Sequence, residues 1–467
     1  GLPIELQVEK ELGITKEDIG KKISVEEYNQ RCRETVMRFK AQWDELTQQM
    51  GYWVDLDDPY ITFEPEYIES CWALLKKLYD KGLLYKGYTI QPYSPAAGTG
   101  LSSHELNQPG TYKDVKDTTV VAQFKVVRDE ASEKLFASAE RVSQRPKGGD
   151  IFILAWTTTP WTLPANTGLA VGKNIVYYLV DTINPYTKEE ISVVLAKELF
   201  DKYFVHSMAG PESDYLTNAG EQKGELPLFD KKGRIAKWFV ADEFTGADLV
   251  GIHYERLFNI EAGFPHFEGE ENAFRVIVGD FVTTEDGTGI VHISPTFGAD
   301  DFRVAQLNGI PALMVADDQG KLGPIVDRTG RYVAQMGEFG GRWVKNYDGH
   351  DQTGADYKTL DESIAIRMRT NGTAFKTEKY EHTYPHCWRT DKPVLYYPLD
   401  SWFIKTTAVK DRLIELNKTI NWKPESTGTG RFGNWLENLV DWNLSRSRYW
   451  GTPLPIWRTQ DGTEELC

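Results

Sequence analysis

The sequence predicts an α/β fold class in which a β-rich, barrel-like domain is inserted between helical and α/β segments. Capped helical periodicity occupies the first part of the chain. Short apolar runs separated by Gly, Pro, Asn and Asp fill the middle, and a mixed Trp- and Arg-bearing pattern closes it. The divisions fall at residues 1–110, 111–378 and 379–467. A length of 467 residues is enough for two or three folded cores.

Two helices are predicted first. Ser24 and Glu27 form a capping box, and Tyr28, Cys32, Val36, Phe39, Trp43, Leu46 and Met50 recur at three- and four-residue steps up to Gly51. That spacing predicts one amphipathic helix of about seven turns. Thr62 can cap a second, with Pro65 in its first turn, a stripe of Ile68, Cys71, Trp72, Leu75, Leu78 and Tyr79, and Gly82 at its end. The two are expected to pack as a hairpin.

From about Gly110 the runs TVVAQFKV, DIFILAW, IVYYLV, ISVVLA, FRVIVGDFV and GIVHIS read as strands. The polar segment from Ser207 to Arg234 reads as an exposed insertion. No internal repeat or low-complexity tract interrupts the pattern.

Composition narrows the function classes. The 40% hydrophobic content and 58 aromatic residues (14 Trp, 23 Tyr and 21 Phe) exclude a disordered chain. A net charge of −16 argues against nonspecific nucleic-acid binding while leaving room for a local basic groove. Cys32, Cys71, Cys387 and Cys467 are too dispersed for a paired-thiol metal motif and too few for a secreted disulfide scaffold, which fits a reducing cytoplasm. No run reaches the ~18 apolar residues of a membrane span, and the N-terminus lacks the pattern of a signal peptide. Opening on Gly-Leu-Pro and stopping at DGTEELC, the chain reads as a piece of a longer protein.

Two stretches concentrate polar side chains where chemistry can use them. AWTTTPWTLPAN puts Thr157, Thr158 and Thr159 at the end of an apolar strand just before Pro160, with Thr162 and Asn166 beyond. Threonine suits strands for its shape alone, but a strand broken by proline also exposes hydroxyls to a cleft, where they can grip a polyhydroxy ligand. GTGIVHISPTFGADDF joins two glycines, His292 on an alternating strand and the adjacent carboxylates Asp300 and Asp301 after Gly298. One aspartate can serve as a helix cap, leaving the other free for a cation or a substrate ammonium. No Ser or Cys sits in a recognisable nucleophile elbow. His382, His386 and Cys387 invite a zinc reading but supply too few ligands for a tetrahedral site. Arg446 and Arg448 can meet phosphate or simply form a solvated face. A metal-dependent phosphoesterase built on His292, Asp300 and Asp301 and a noncatalytic binding module are the readings from other classes.

Taken together, these segments resemble the isoleucyl branch of the class I aminoacyl-tRNA synthetases over nearly the whole chain. GLPIELQVEKELGI resembles the segment after the first half of the family's Rossmann-type catalytic fold. WTTTPWTLPAN, LVGIHYERLF, GDFVTTEDGTGIVHISP and GADDF resemble its inserted editing domain, and HTYPHCWR, WFIK and DWNLSRSRYWGTPLPIW the return to the catalytic domain. Valyl and leucyl members share the architecture, but GLPIE, YPHCWR and WGTPLPIW favour the isoleucyl one.

The resemblance implies a deacylase that hydrolyses valine mischarged onto the 3′ end of tRNA(Ile), in a monomeric cytoplasmic enzyme whose full-length form ligates isoleucine with ATP and Mg. Editing itself needs no cofactor. By motif match Asp301 binds the substrate ammonium, with Asp300 beside it. Thr157, Thr158, Thr159 and Asn166 hold the ribose, ester and water, Thr162 shapes the wall, and His292 limits the side chain admitted. Neither ATP signature of the family, His-x-Gly-His nor Lys-Met-Ser-Lys-Ser, occurs, so the chain is not expected to aminoacylate. Ser94 and Thr390 stand where many members place zinc cysteines, and Phe297 where many bacterial members carry His.

Overall fold

The structure is a computed structural model that describes residues 1–142, 149–205, 233–259, 263–318, 320–345, 357–460 and 465–467. Most of the predicted insertion at 207–234 lies outside the described residues. The chain divides into two units, one of residues 1–89, 97–100 and 399–467 and the other of residues 90–96 and 101–398.

The first unit opens with helix α1, Leu2–Leu12, ended by Gly13 in the left-handed conformation at φ 64°. Helix α2, Val25–Met37, starts where the sequence predicts, with the Ser24 hydroxyl accepting the Glu27 amide at 3.0 Å. The single long helix is corrected here, because the path breaks at Arg38–Phe39 and resumes as α3, Lys40–Gln49. Tyr28 and Cys32 are fully buried with Val8 and Ile19, so α2 packs against α1. Phe39, Trp43, Leu46 and Met50, on the second half of the expected stripe, are exposed, and α3 buries no residue. Periodicity reports which face of a helix is apolar, and says nothing of what covers it. Helix α4, Pro65–Asp80, follows with Glu64 rather than Thr62 at its N-cap. Its predicted stripe is half-buried; Trp72 meets Trp457 edge-on at 5.8 Å and donates its indole N–H to the Pro453 carbonyl at 2.7 Å. In place of the expected hairpin, α2 packs against the preceding α1, and α4 meets Pro453 and Trp457 far along the sequence.

In the second unit nine strands matter for the site: β1 Tyr112–Lys125, β2 Ile151–Thr157, β3 Gly168–Val171, β4 Val176–Ile183, β5 Glu190–Ala196, β6 Trp238–Thr245, β7 Arg275–Val278, β8 Ile290–Ile293 and β9 Ala374–Pro385. Six form a mixed sheet in the order β9-β1-β2-β5-β4-β6, and three form a second sheet in the order β8-β3-β7. The β2–β5 and β3–β7 pairings are parallel, and the others are antiparallel. The inserted β-rich architecture is there, built from open sheets with no closed barrel among the described residues. Each of the six predicted runs contains a strand, though FRVIVGDFV is strand only over Arg275–Val278 and turns away through GDFV. Residues 379–385, beyond the expected divide at 378, continue β9 along β1.

The large sheet buries Leu154, Val180, Val193, Phe200, Phe204 and Phe375 together, and the small one buries Ala170, Ile277 and Ile293 against Val304 of helix α5, Ala299–Asn308. One core holds β2, an inner strand of the large sheet, and the other holds β8, at the edge of the small sheet, and both strands line a common cavity.

Among the described residues no helix is long and apolar enough to cross a membrane.

Candidate functional site

The cavity has a volume of about 430 Å³ and lies entirely in the second unit. Strand β2 ends on Thr157, because Pro160 cannot continue a sheet ladder and starts a tight 3-10 turn, Pro160–Ala165, with Thr159 at its N-cap. The hydroxyls then form a chain. Thr157 Oγ1 accepts the Thr159 amide at 3.0 Å and lies 3.3 Å from Thr159 Oγ1, which lies 3.4 Å from Thr162 Oγ1. Thr158 lines the same cavity.

Strand β8 supplies the opposite set. Its register puts Ile293 into the core and leaves His292 on the cavity. Gly287 and Gly289, which lead into it, have φ 75° and 72°. A Cβ on Gly289 would meet the Ala196 methyl at 2.4 Å, so the backbone there approaches β5 closely enough to require glycine.

Thr162 Oγ1 donates to the Thr159 carbonyl at 2.8 Å and sits 3.1 Å from His292 Nε2. With its one proton given to the carbonyl, the hydroxyl accepts from the imidazole, which assigns the Nε2–H tautomer from the hydrogen-bond network. His292 Nδ1 is then a bare acceptor, buried and without a protein partner. Burial pulls the imidazole down to about 4, so it is neutral at pH 7.

After β8 the chain turns through Ser294 and Phe297 into α5, whose N-cap is Gly298. Asp301 sits in the first turn, lines the cavity and accepts the Ser294 amide through Oδ2 at 2.8 Å. Burial pushes its carboxyl up to about 7; the Ser294 N–H opposes the rise and Asp300 adds to it. A Cβ at Gly298 would fall 2.6 Å from the Asp301 carboxyl carbon, so only glycine leaves that carboxyl its place.

Thr157, Thr158, Thr159, Thr162, His292 and Asp301 are thus brought together. Two predicted residues are not. Asn166 is buried outside the cavity lining, giving its amide N–H to the Gly168 carbonyl at 2.8 Å and accepting the Tyr254 hydroxyl at 2.8 Å, so it ties the turn to β3. Asp300 is exposed and faces Arg303 at 3.6 Å, because adjacent helix positions point in different directions. Neither aspartate is the cap residue that the sequence allowed.

The other sequence candidates have structural partners. His382 Nε2 meets Asp117 at 3.2 Å, His386 Nδ1 meets the Tyr384 carbonyl at 2.9 Å, and no group of three or more His, Cys, Asp or Glu suited to a metal occurs among the described residues. Arg448 faces the buried Glu5 at 3.7 Å.

Trp156 and Ser294 were not assigned a role by sequence, and both line the cavity. Trp156 directly precedes the threonine run, and its neighbours Lys202, at 5.3 Å from the ring, and Tyr380, edge-on at 5.2 Å, come from elements far away in sequence. Phe297 packs edge-on against Trp161 at 5.1 Å and closes another part of the wall.

The cavity is carried on a unit inserted between two stretches of the other unit. The family of class I tRNA synthetases (I, L, M and V) matches residues 1–467, and the chain belongs to it. Within that family it is similar to isoleucine-tRNA ligases. That of Cytophaga hutchinsonii is 60% identical over 479 residues, covering 100% of this chain and 40% of that protein. That of Bacteroides fragilis is 56% identical over 485 residues, with 100% and 40% covered, and that of Clostridium tetani 40% identical over 465 residues, with 100% and 37% covered. The chain therefore spans about 40% of the length of these curated relatives. Among solved structures, GlLeuRS-CP1 aligns with TM-score 0.35 at 14% identity, over 56% of this chain and 100% of that one. The P. knowlesi cytosolic leucyl-tRNA synthetase editing domain aligns with TM-score 0.32 at 11% identity, over 56% and 96%.

Proposed function

We propose that this cavity hydrolyses the ester joining valine to the 3′-terminal adenosine of tRNA(Ile), as the editing part of a longer isoleucine-tRNA ligase. The observation that carries the reading is the pairing of a cavity-facing carboxylate, Asp301, with the Thr157–Thr159 hydroxyls around one cavity walled by His292. A carboxylate in a partly dry site suits an α-ammonium, and hydroxyls that both donate and accept suit a ribose, an ester and a water. Water attacks the ester carbonyl carbon, the bond to the ribose oxygen breaks, that oxygen takes up a proton, and valine and uncharged tRNA leave. An aminoacyl ester is reactive enough for positioning of water and substrate to suffice without a protein nucleophile.

Valine differs from isoleucine by one methylene, worth only about 1–3 kcal/mol in an apolar pocket, a magnitude for which isoleucyl synthetases are themselves the standing example. A second site that admits the smaller side chain answers that limit, and a neutral, buried His292 is suited to exclude the larger one. The longer protein is expected to work as a cytoplasmic monomer and to use ATP and Mg in ligation. Neither ATP signature lies in this sequence, so no step through ATP or Mg is assigned to these residues.

The phosphoesterase alternative needs Asp300 as a third ligand, and its carboxyl faces Arg303 instead. Incubating the chain with Val-tRNA(Ile) and Ile-tRNA(Ile) tests the proposal. Release of valine with isoleucine spared is expected; equal release of both, release of neither, or loss of activity in EDTA overturns it.

A further inference from the structure

The turn that carries the site hydroxyls is gripped from behind by residues that do not line the cavity. Helix α6, Leu360–Thr370, begins with a capping box between Thr359 and Glu362, and that start sends Asp361 inward, where it is almost fully buried. Its Oδ1 accepts the Trp161 amide N–H at 2.9 Å. The Tyr332 hydroxyl, also buried, donates to the Trp161 carbonyl. Both polar ends of one residue are therefore held, one by a carboxylate and one by a phenol. That residue is the neighbour of Thr162, whose hydroxyl meets His292 Nε2, and its ring supports Phe297.

The carboxylate is in turn held. Lys345 Nζ lies 3.3 Å from Asp361 Oδ2 and 2.7 Å from Asp117 Oδ2, above the Tyr384 ring at 5.0 Å. Burial raises Asp361 to about 6 against the pull of Lys345. Burial also opposes the Lys345 charge, yet Asp361, Tyr384 and Asp117 keep its pKa above the ordinary lysine value. A pair this buried is costly to assemble and adds little net stability over well-packed apolar residues, so stability alone is a weak reason for it.

We infer that Asp361, held by Lys345, is a positioning residue for the candidate site: through the Trp161 amide it sets the turn that aims the Thr159 and Thr162 hydroxyls at His292 and the bound ester. The inference rests on the hydrolytic reading of the cavity. Removing the acceptor frees the Trp161 peptide to rotate, and misplacement of reacting groups by about an ångström costs up to 10²-fold in rate while leaving ground-state binding nearly intact.

Two variants and two measurements test it in the full 467-residue chain. Asp361→Ala removes the acceptor. Asp361→Asn combined with Lys345→Met keeps an acceptor oxygen and removes both charges. The measurements are kcat and KM for Val-tRNA(Ile) and the ¹⁵N shifts of the His292 ring, which report the Thr162 contact without any turnover. Asp361→Ala is expected to lower kcat about tenfold or more with KM within about twofold, and to move the His292 shifts. The double variant is expected to keep kcat within about threefold and the parental shifts. A folded Asp361→Ala chain with parental kcat and shifts overturns the inference, as does a folded double variant as impaired as Asp361→Ala. If Asp361→Ala does not fold, the double variant decides alone by the same criteria. If the parent chain releases no valine, the functional reading fails, and the shifts still decide whether Asp361 sets the turn.

Discussion

His292 Nε2 lies 3.1 Å from Thr162 Oγ1, and the same hydroxyl gives its proton to the Thr159 carbonyl at 2.8 Å. The imidazole is thereby pinned in one tautomer and one orientation, on a wall whose next inward neighbours are Ile290 and Ser294. Its bulk occupies a fixed part of the cavity.

His292→Ala is accordingly expected to hydrolyse Ile-tRNA(Ile) as well as Val-tRNA(Ile), because the removed ring leaves room for the extra methylene. Deacylation of both substrates, measured beside a melting curve, checks this. A folded variant that still spares Ile-tRNA(Ile) assigns the size limit to the threonine strand instead.

Asp301→Ala is expected to reduce Val-tRNA(Ile) hydrolysis by about 10² or more, whereas Asp300→Ala, whose carboxyl meets only an exposed arginine, stays within about threefold. Steady-state kinetics of the two variants give the comparison, and equal losses would remove the distinct role of Asp301.

The Asp301 carboxyl titrates at about 7 in the folded chain against an ordinary 3.8. Below pH ~4 both states are protonated. Between there and pH 7 the unfolded chain loses a proton that the folded chain retains, so this group's contribution to stability falls as pH rises and is flat above. Asp301→Asn, always neutral, is therefore expected to gain stability relative to the parent as pH rises through that window, by up to about 4 kcal/mol at pH 8 (~1.36 kcal/mol for each of ~3 pH units), while losing activity. Thermal melts of both chains from pH 4 to 8 test it; a constant difference contradicts the assignment. Substrate binding by the parent should strengthen as pH rises through about 7, where the folded carboxyl ionises.

Glu5 supplies a prediction for the other unit. Buried in α1, its Oε1 accepts the amides of Tyr449 and Trp450 at 2.8 and 2.9 Å and its Oε2 faces Arg448 at 3.7 Å. Glu5→Ala orphans both amides and is expected to cost about 2–4 kcal/mol, read by urea unfolding, with deacylation kinetics unchanged in the folded fraction.

The threonine run, the paired glycines, His292 and the aspartate pair were legible in the sequence because each is a local pattern: a proline that ends a strand, glycines that admit positive φ, a period of two that aims His292 away from Ile293. The six apolar strands were legible for the same reason. Strand β9, whose charged residues alternate through AFKTEKYEHTYP, was not, because its stability comes from pairing with β1 some 260 positions away rather than from an apolar run of its own. Nor could periodicity reveal that the apolar stripe of α2 breaks at Phe39. Which aspartate faces the cavity, why Asn166 faces away from it, and that Asp361, Tyr332 and Lys345 converge behind Trp161 were decided only by tertiary structure. Those outcomes depend on which distant polar group reaches a buried amide or carboxyl first, and burial is a property of the packed chain rather than of any segment of it.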